Sequence, residues 1–213
     1  MVNDGYVLVN GAVQKDHLFF VNDGDHVSFA GKIKGYANSL GVLLIHKPRG
    51  IWTNCKHGAQ EKEVLDLLPK AYKSYSSIGR LDKDSEGLIL FTNDGVFANQ
   101  FLNSDQIHER VYQVWTKNAL SKTQQKQLSS GVMLNDGFTK PCQITEIKRQ
   151  CYEFRLTEGR NRQIRRMVES TGTYVTRLKR ILFGEYKLGG LTPGRYQYFS
   201  LKDQFLQRLN QCS

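Results

Sequence analysis

The chain has 213 residues, 39% of them hydrophobic and 11% aromatic, with only 4 Pro; this excludes a disordered, collagenous or linker-like polymer and leaves room for one ordinary domain plus a fragment. Against 20 acidic residues stand 30 Lys and Arg, a formal net charge of +10 that favours a polyanionic partner, nucleic acid ahead of an anionic membrane surface. The 4 cysteines never fall in a C-x-x-C pair and no His completes a finger-like cluster, so they are read as reduced, incidental thiols and no metal is expected.

No apolar run approaches the roughly 18 residues of a membrane span, and the start Met-Val-Asn-Asp-Gly lacks the basic and apolar regions of a signal peptide. A soluble, cytoplasmic monomer is expected. In chain order, residues 6–29 read as short strands and turns: Tyr6 to Val9, the turn Asn10-Gly11, an apolar stretch from His17 to Val21, then Asn22 to Asp25 leading into Val27 and Phe29. Residues 34–40 read as a linker. From Gly41 a new core begins with Val42-Leu43-Leu44-Ile45, a strand buried on both faces, which runs into the rigid basic turn Lys47-Pro48-Arg49-Gly50.

Strands and helices then intermingle. Val64, Leu67 and Leu68 have helical spacing over Glu61 to Leu68, with Pro69 as the stop. Leu88 to Phe91 is a second buried strand, and Asn93-Asp94 caps a helix through Val96, Phe97, Phe101 and Leu102. Val111 to Trp115 is strand-like; Ser121 caps a short helix ending at Gly131. Tyr152, Phe154 and Leu156 alternate with Glu153 and Arg155, the pattern of a half-buried antiparallel strand. A final helix is expected after Ser200, carrying Phe205, Leu206 and Leu209. Without regular βαβ alternation the fold class is α+β, with a mixed, mainly antiparallel β-sheet and flanking helices.

Two segments are dense in chemistry. The first, Gly79 to Gly87, runs straight into the buried strand. Asp82, Asp84 and Glu86 at alternate positions suggest a calcium loop, but Asn93 stands where a bidentate Glu is required and the exit is a strand. Arg80 and Asp82, two apart, point the same way from an extended backbone and bring a cation and a carboxylate together at the strand's edge. Asp84 and Glu86 face no obvious partner. The second segment, Glu158 to Glu169, reads as a surface helix with the apolar stripe Ile164, Met167 and Val168. On a helical wheel Arg162 and Arg166 lie roughly 150–170° from the stripe's centre and Arg165 about 105°, so Arg165 is the one placed to reach inward. A charged face that merely solvates is the plain alternative, but Arg160, Arg162, Arg165 and Arg166 so close together fit a phosphate-gripping face better.

The stretches GRLDKDSEGLILFTNDG (Gly79 to Gly95), EGRNRQIRRM (Glu158 to Met167) and HKPRG (His46 to Gly50) resemble the motifs of the RsuA-like branch of bacterial ribosomal RNA pseudouridine synthases. Leu178-Lys179-Arg180, Gly184 to Leu188 and Pro193 to Tyr196 are similar to the tail of that catalytic domain. The resemblance covers Gly41 to about Leu201 and implies a catalytic domain over residues 41–213. Gly5 to Gly11 and Asn22 to Val27 resemble the second half of an S4 RNA-binding module, so residues 1–33 are read as a partial S4-like segment.

Carried over by position, the resemblance implies Asp82 as the essential aspartate, Arg80 as the residue that fills the space of a flipped uridine, Tyr112 as the active-site tyrosine and Arg165 as the basic partner of Asp82. Lys47, Arg49, Arg160, Asn161, Arg162, Arg166, Lys179 and Arg180 are the expected RNA contacts. The implied reaction breaks C1′–N1, turns the base and joins C5 to C1′. A single carboxylate can suffice because no water enters, unlike in glycosidases; whether it bonds to C1′ or takes a proton from C2′ stays open. The target must leave the stack, at a cost of a few kcal/mol. No cofactor is needed. The competing classes are a catalytically idle RNA-binding protein, which need not keep Asp82, Tyr112 and Arg165 together, and a nuclease or nucleoside hydrolase, which needs a metal cluster or a second paired acid.

Overall fold

The computed structural model describes residues 2, 7–16, 18–29, 40–54, 61–102 and 107–201, and the chain divides into two compact units, Met1–Ser39 and Leu40–Ser213. In the first, β1 (Val7–Val9), β2 (Ala12–Gln14) and β3 (Val27–Phe29) form an antiparallel sheet in the order β2-β1-β3. Asn10 and Gly11 both take positive φ, 53° and 82°, the geometry of a two-residue hairpin turn. The next strand must therefore begin at once, and Val9 pairs with Ala12. The apolar stretch expected after the turn consequently lies outside the sheet, with Leu18 and Phe20 80% and 82% exposed. Apart from Leu40, the linker expected over 34–40 lies outside the described residues; of the helix expected to open at Ser200, Ser200 ends a strand (Tyr196–Ser200) and the residues from 202 on lie outside the described ones.

The second unit contains β4 (Gly41–Lys47), β5 (Ser76–Ile78), β6 (Glu86–Thr92), α1 (Gly95–Leu102), β7 (Arg110–Thr116), α2 (Lys122–Ser130), β8 (Met133–Leu134), β9 (Gly137–Phe138), β10 (Gln143–Lys148), β11 (Cys151–Leu156), α3 (Gln163–Glu169), β12 (Val175–Phe183), β13 (Tyr186–Lys187) and β14 (Tyr196–Ser200). Its main sheet runs β10-β11-β7-β12-β6-β4-β14, with β5 on β6 and β13 on β12. Of the strand pairs described, β6 with β12 is parallel and the rest are antiparallel. This is the expected α+β class with a mixed, mainly antiparallel sheet.

The apolar runs become strands covered on both faces because alternate side chains enter different cores. Val42, Leu44, Leu88 and Leu90 join Phe101 under α1, while Leu43, Ile45, Ile89 and Phe91 join Val64, Tyr75 and Leu81 on the opposite side. A third cluster packs α2 and α3 on β7, β11 and β12 through Leu128, Ile164, Met167, Val114, Phe154 and Leu178. Tyr112 packs against both this cluster and the one holding Leu81, so it stands at their seam.

The helix caps form as read. Asp94 Oδ1 accepts from the amides of Val96 and Phe97, and Ser121 and Gln124 make a reciprocal capping box. Two helices are shorter than expected. Over Glu61 to Leu68 only one 3₁₀ turn forms, Val64–Leu67, because the Val64 amide is taken by Trp52 O and Pro69 follows directly. Helix α3 starts at Gln163, not Glu158: Gln163 Oε1 accepts from Arg160 N and Nε2 donates to Glu158 Oε1, folding 158–162 into a loop. Among the described residues no helix is long and apolar enough to cross a membrane.

Candidate active site

The loop between β5 and β6 carries Asp82 and is anchored at its start by a hydroxyl and at its end by a buried ammonium. Leu81 is buried, and both its N–H and its C=O bond Thr53 Oγ1, at 3.0 and 2.8 Å. A turn follows, Ser85 N to Asp82 O at 3.0 Å, and Gly50 N donates to Lys83 O at 2.7 Å. Beneath it Lys47, fully buried, donates from Nζ to Ser85 O at 2.7 Å, Pro48 O at 3.0 Å and Lys83 O at 3.4 Å. Burial pushes Lys47 down to about 8, against the opposing pull of the carboxylates of Asp84, Asp82 and Glu86. Gly87 at the loop's exit has φ +105°, and a Cβ there would run into the backbone of Arg180 on β12; only glycine permits this approach.

Two arginines reach this loop from α3's start. Arg162 caps the helix in the left-handed conformation, φ 48°, which throws its side chain across the loop. It donates to both oxygens of Asp84 at 3.1 and 3.2 Å and lies 3.7 Å from Asp82 Oδ2. Arg165 is 5% exposed and donates to Val175 O, Asp84 O and Ser85 Oγ, with an ion pair to Asp84 Oδ2 at 3.2 Å. Burial would raise the Asp84 carboxyl, but the Arg162 hydrogen bonds and the charges of Arg165 and Arg162 outweigh it and hold Asp84 below its ordinary value.

Asp82, Arg80, Tyr112, Asn161 and Arg162 line one cleft of about 210 Å³, walled on its apolar side by Leu81, Leu156, Ile164 and Leu178. The cleft opens where two cores meet, which gives it a half-buried phenol ring and aliphatic walls for a flat base, with a carboxylate and cations at its rim. Such a pocket suits a base taken out of a stack.

Residues 41–170 match the family model described as RNA pseudouridylate synthase. The chain belongs to this family. It is 33% identical over 200 residues to the ribosomal large subunit pseudouridine synthase B of Bacillus subtilis, covering 91% of this chain and 82% of that protein. To the dual-specificity RNA pseudouridine synthase RluF of Escherichia coli it is 31% identical over 200 residues, 92% of this chain and 67% of the other. A crystal structure of a pseudouridylate synthase superposes with a TM-score of 0.73 at 21% identity, over 95% of this chain and 88% of that one, so the fold is shared as well.

Not every residue expected at this synthase's RNA surface lies there. Lys47 is fully buried and committed to three loop carbonyls, so its expected RNA contact is corrected to a role inside the loop. Arg180 is 3% exposed, stacks on Phe183 at 4.8 Å and donates Nε to Leu88 O at 2.7 Å; it too is an interior residue. Lys179, next to Leu178 in the strand, alternates away from the cleft and lines a separate groove with Gln113 and Arg155. Arg160 does line the cleft and also donates to Gly137 O at 2.9 Å, while Arg166 grips Asp136 at 2.8 and 2.9 Å, so both tie the cleft's helix end to the β8–β9 hairpin. The closest arginine to Asp82 among these contacts is Arg162, while Arg165 takes Asp84, so the pairing expected for Arg165 falls one acid further along. The acids expected to lack partners have them: Asp84 those two arginines, and Glu86 Arg177 at 2.6 Å. Thr53 and Ser85, which hold the loop, carry no signal in the sequence.

Proposed function

We propose that the protein isomerises a specific uridine of ribosomal RNA to pseudouridine, with Asp82 as the carboxylate that acts on the ribose. The observation that carries this reading is the meeting of Asp82, Tyr112, Arg80 and Arg162 in one base-sized cleft. The C1′–N1 bond breaks, the uracil turns within the cleft, and C5 joins C1′. N1 ends with a proton and C5 loses one, so no co-reactant is consumed. Asp82 serves either by bonding to C1′ or by taking a proton from C2′; both routes need an ionised carboxylate at the ribose, and Arg162 supplies a cation beside it. The Tyr112 ring offers a stacking face, and its hydroxyl a base for the C5 proton. Arg80, exposed at the cleft rim, fills the gap left by the flipped nucleotide.

Arg49, Asn161 and Arg162 are the RNA contacts this geometry favours. Residues 41–213 form the catalytic domain in this reading, and residues 1–33 an S4-like accessory segment. The name of the Bacillus relative supports large-subunit RNA as the first substrate to try, and a ribosomal substrate places the work in the cytoplasm. Unmodified large- and small-subunit RNA transcripts incubated with the protein, digested and chromatographed as nucleosides, are expected to yield pseudouridine at a defined position. Unchanged uridine in both RNAs would overturn the proposal.

A further inference from the structure

Beside the catalytic cleft lies a second, more open recess of about 360 Å³, lined by Arg49, Gly50, Trp52, Lys83, Asp84 and Arg162. Arg162 lines both, so the two hollows adjoin. Trp52 is 39% exposed and is no part of the core clusters, although its neighbour Ile51 packs against one. Part of the indole is thus open to a ligand at the recess.

Its position is not loose. The Trp52 amide donates to Lys62 O at 3.1 Å and its carbonyl accepts from Val64 N at 2.9 Å, so the backbone is held on both sides. The Gly50 to Lys83 bond ties the floor of the recess to the Asp82 loop. The Lys83 ammonium sits over the indole at 5.3 Å while pairing with Glu61 at 2.9 Å. Asp84 gives its charge to Arg162 and Arg165, and Arg49 is exposed with no ion pair among the described residues. The recess therefore combines a fixed aromatic face with surplus positive charge. Unpaired nucleotides are held in that way, the base stacked on the ring and the phosphate on a cation.

Resting on the function proposed above, we propose that Trp52 is a stacking platform for the base of an unpaired nucleotide flanking the uridine in the catalytic cleft, with Arg49 on its phosphate. The occupant is a neighbouring nucleotide of the same RNA strand, because the recess opens beside the cleft and shares Arg162 with it.

The sequence contains 2 Trp, so Trp115→Phe leaves Trp52 as the sole indole reporter. Trp115 lies on β7 beneath Arg177, outside both hollows. Titration of this variant with oligouridylate is expected to quench its fluorescence, and an abasic ribose-phosphate chain of equal length to leave it unchanged. In kinetics on the modified ribosomal RNA, Trp52→Ala is expected to raise KM roughly 5- to 150-fold, the range measured for loss of one base stack, with the single-turnover rate at saturation unchanged. Trp52→Phe should recover most of that loss, which a merely structural defect would not allow.

Equal quenching by the abasic chain, or an unchanged KM in Trp52→Ala, overturns the platform. The two readings fail separately. Quenching by oligouridylate without any isomerised uridine sinks the catalytic proposal and leaves the stacking site standing. Full isomerisation by Trp52→Ala at unchanged KM does the reverse.

Discussion

Lys47→Met probes the interior support of the Asp82 loop. The wild-type ammonium gives three hydrogen bonds to loop carbonyls, yet burial lowers its pKa from 10.5 to about 8. That depression corresponds to a charge-burial penalty on the order of 3 kcal/mol. Methionine fills similar volume and removes the penalty, but it leaves the loop carbonyls without their donor, at about 1–3 kcal/mol for each buried acceptor. With three acceptors affected and that penalty relieved, the expected net loss at pH 7 is at most about 6 kcal/mol. The sign of the pH dependence is the same as that of a paired carboxylate, whose pKa is also lowered on folding, but the window is alkaline. Between pH about 8 and 10.5 the unfolded chain binds a proton that the folded protein has released, so this lysine's penalty is relieved and wild-type stability rises across that window. The methionine variant has no such term. Urea denaturation of both proteins at pH 7 to 10 should show the wild-type advantage growing by a few kcal/mol. A difference that stays constant with pH would refute the argument. Because Lys47 is fully buried, the salt dependence of RNA binding should not move; a slope reduced by one phosphate contact would put the ammonium back on the RNA surface.

Asp82→Asn is expected to abolish pseudouridine formation while leaving the urea midpoint and RNA affinity nearly unchanged; substantial turnover by the pure variant would show the carboxylate to be misassigned. Arg162→Ala should lower both the single-turnover rate and the salt slope, the latter by about 0.7–0.9 per lost phosphate contact, since this exposed side chain faces both Asp82 and the RNA side of the cleft. Arg165→Ala should instead lose about 2–4 kcal/mol of stability, because it removes the buried donor to Val175 O and Asp84 O and one of the two cations on Asp84, and a variant as stable as wild type would contradict that contact set. Gly87→Ala combines a left-handed backbone with a collision against Arg180 and should lower stability by about 3–5 kcal/mol, read as a shifted urea midpoint.

What could be read from the sequence was what neighbours in the chain decide. The runs Val42 to Ile45 and Leu88 to Phe91 are apolar at every position, which only a sheet covered on both faces accommodates, and they are β4 and β6. Asp94 and Ser121 cap helices by hydrogen bonds to amides two or three residues on, so no distant partner is needed. Strand β10 gave no alternation because it lies at a sheet edge and is exposed along most of its length. The fate of the long cations was least legible. Lys and Arg are normally at the surface, and nothing local marks Lys47 or Arg180 as interior; Lys47 is held where three carbonyls converge on its ammonium, and Arg180 where Leu88 O of β6 accepts from its Nε and Phe183 covers its guanidinium. The wheel that put Arg162 outside and Arg165 inside presumed one continuous helix. Arg165 is indeed inside, but Arg162 precedes the first turn, so its direction comes from a left-handed φ that no periodicity reports.

That left-handed residue explains how the two acids divide their work. An arginine at φ 48° carries a strain of order 1–3 kcal/mol, tolerated where surrounding contacts over-determine it. Its two hydrogen bonds to Asp84 are such contacts, and Arg165 holds the same carboxylate from the buried side. Asp84 is thus the strut between loop and helix, its carboxyl held below its ordinary value by the two arginines. Among the described residues Asp82 has one arginine at 3.7 Å, too long for a hydrogen bond, so its oxygens keep their lone pairs open to the cleft. A carboxylate meant to act on a ribose needs that freedom, and a carboxylate meant to stiffen a loop needs the opposite. In the proposed reaction an RNA phosphate competes with Asp84 for the Arg162 donors, and any donor it draws away alters the field at Asp82. In that proposed reaction, substrate binding and the chemistry are linked through Arg162, the strained residue that faces both acids.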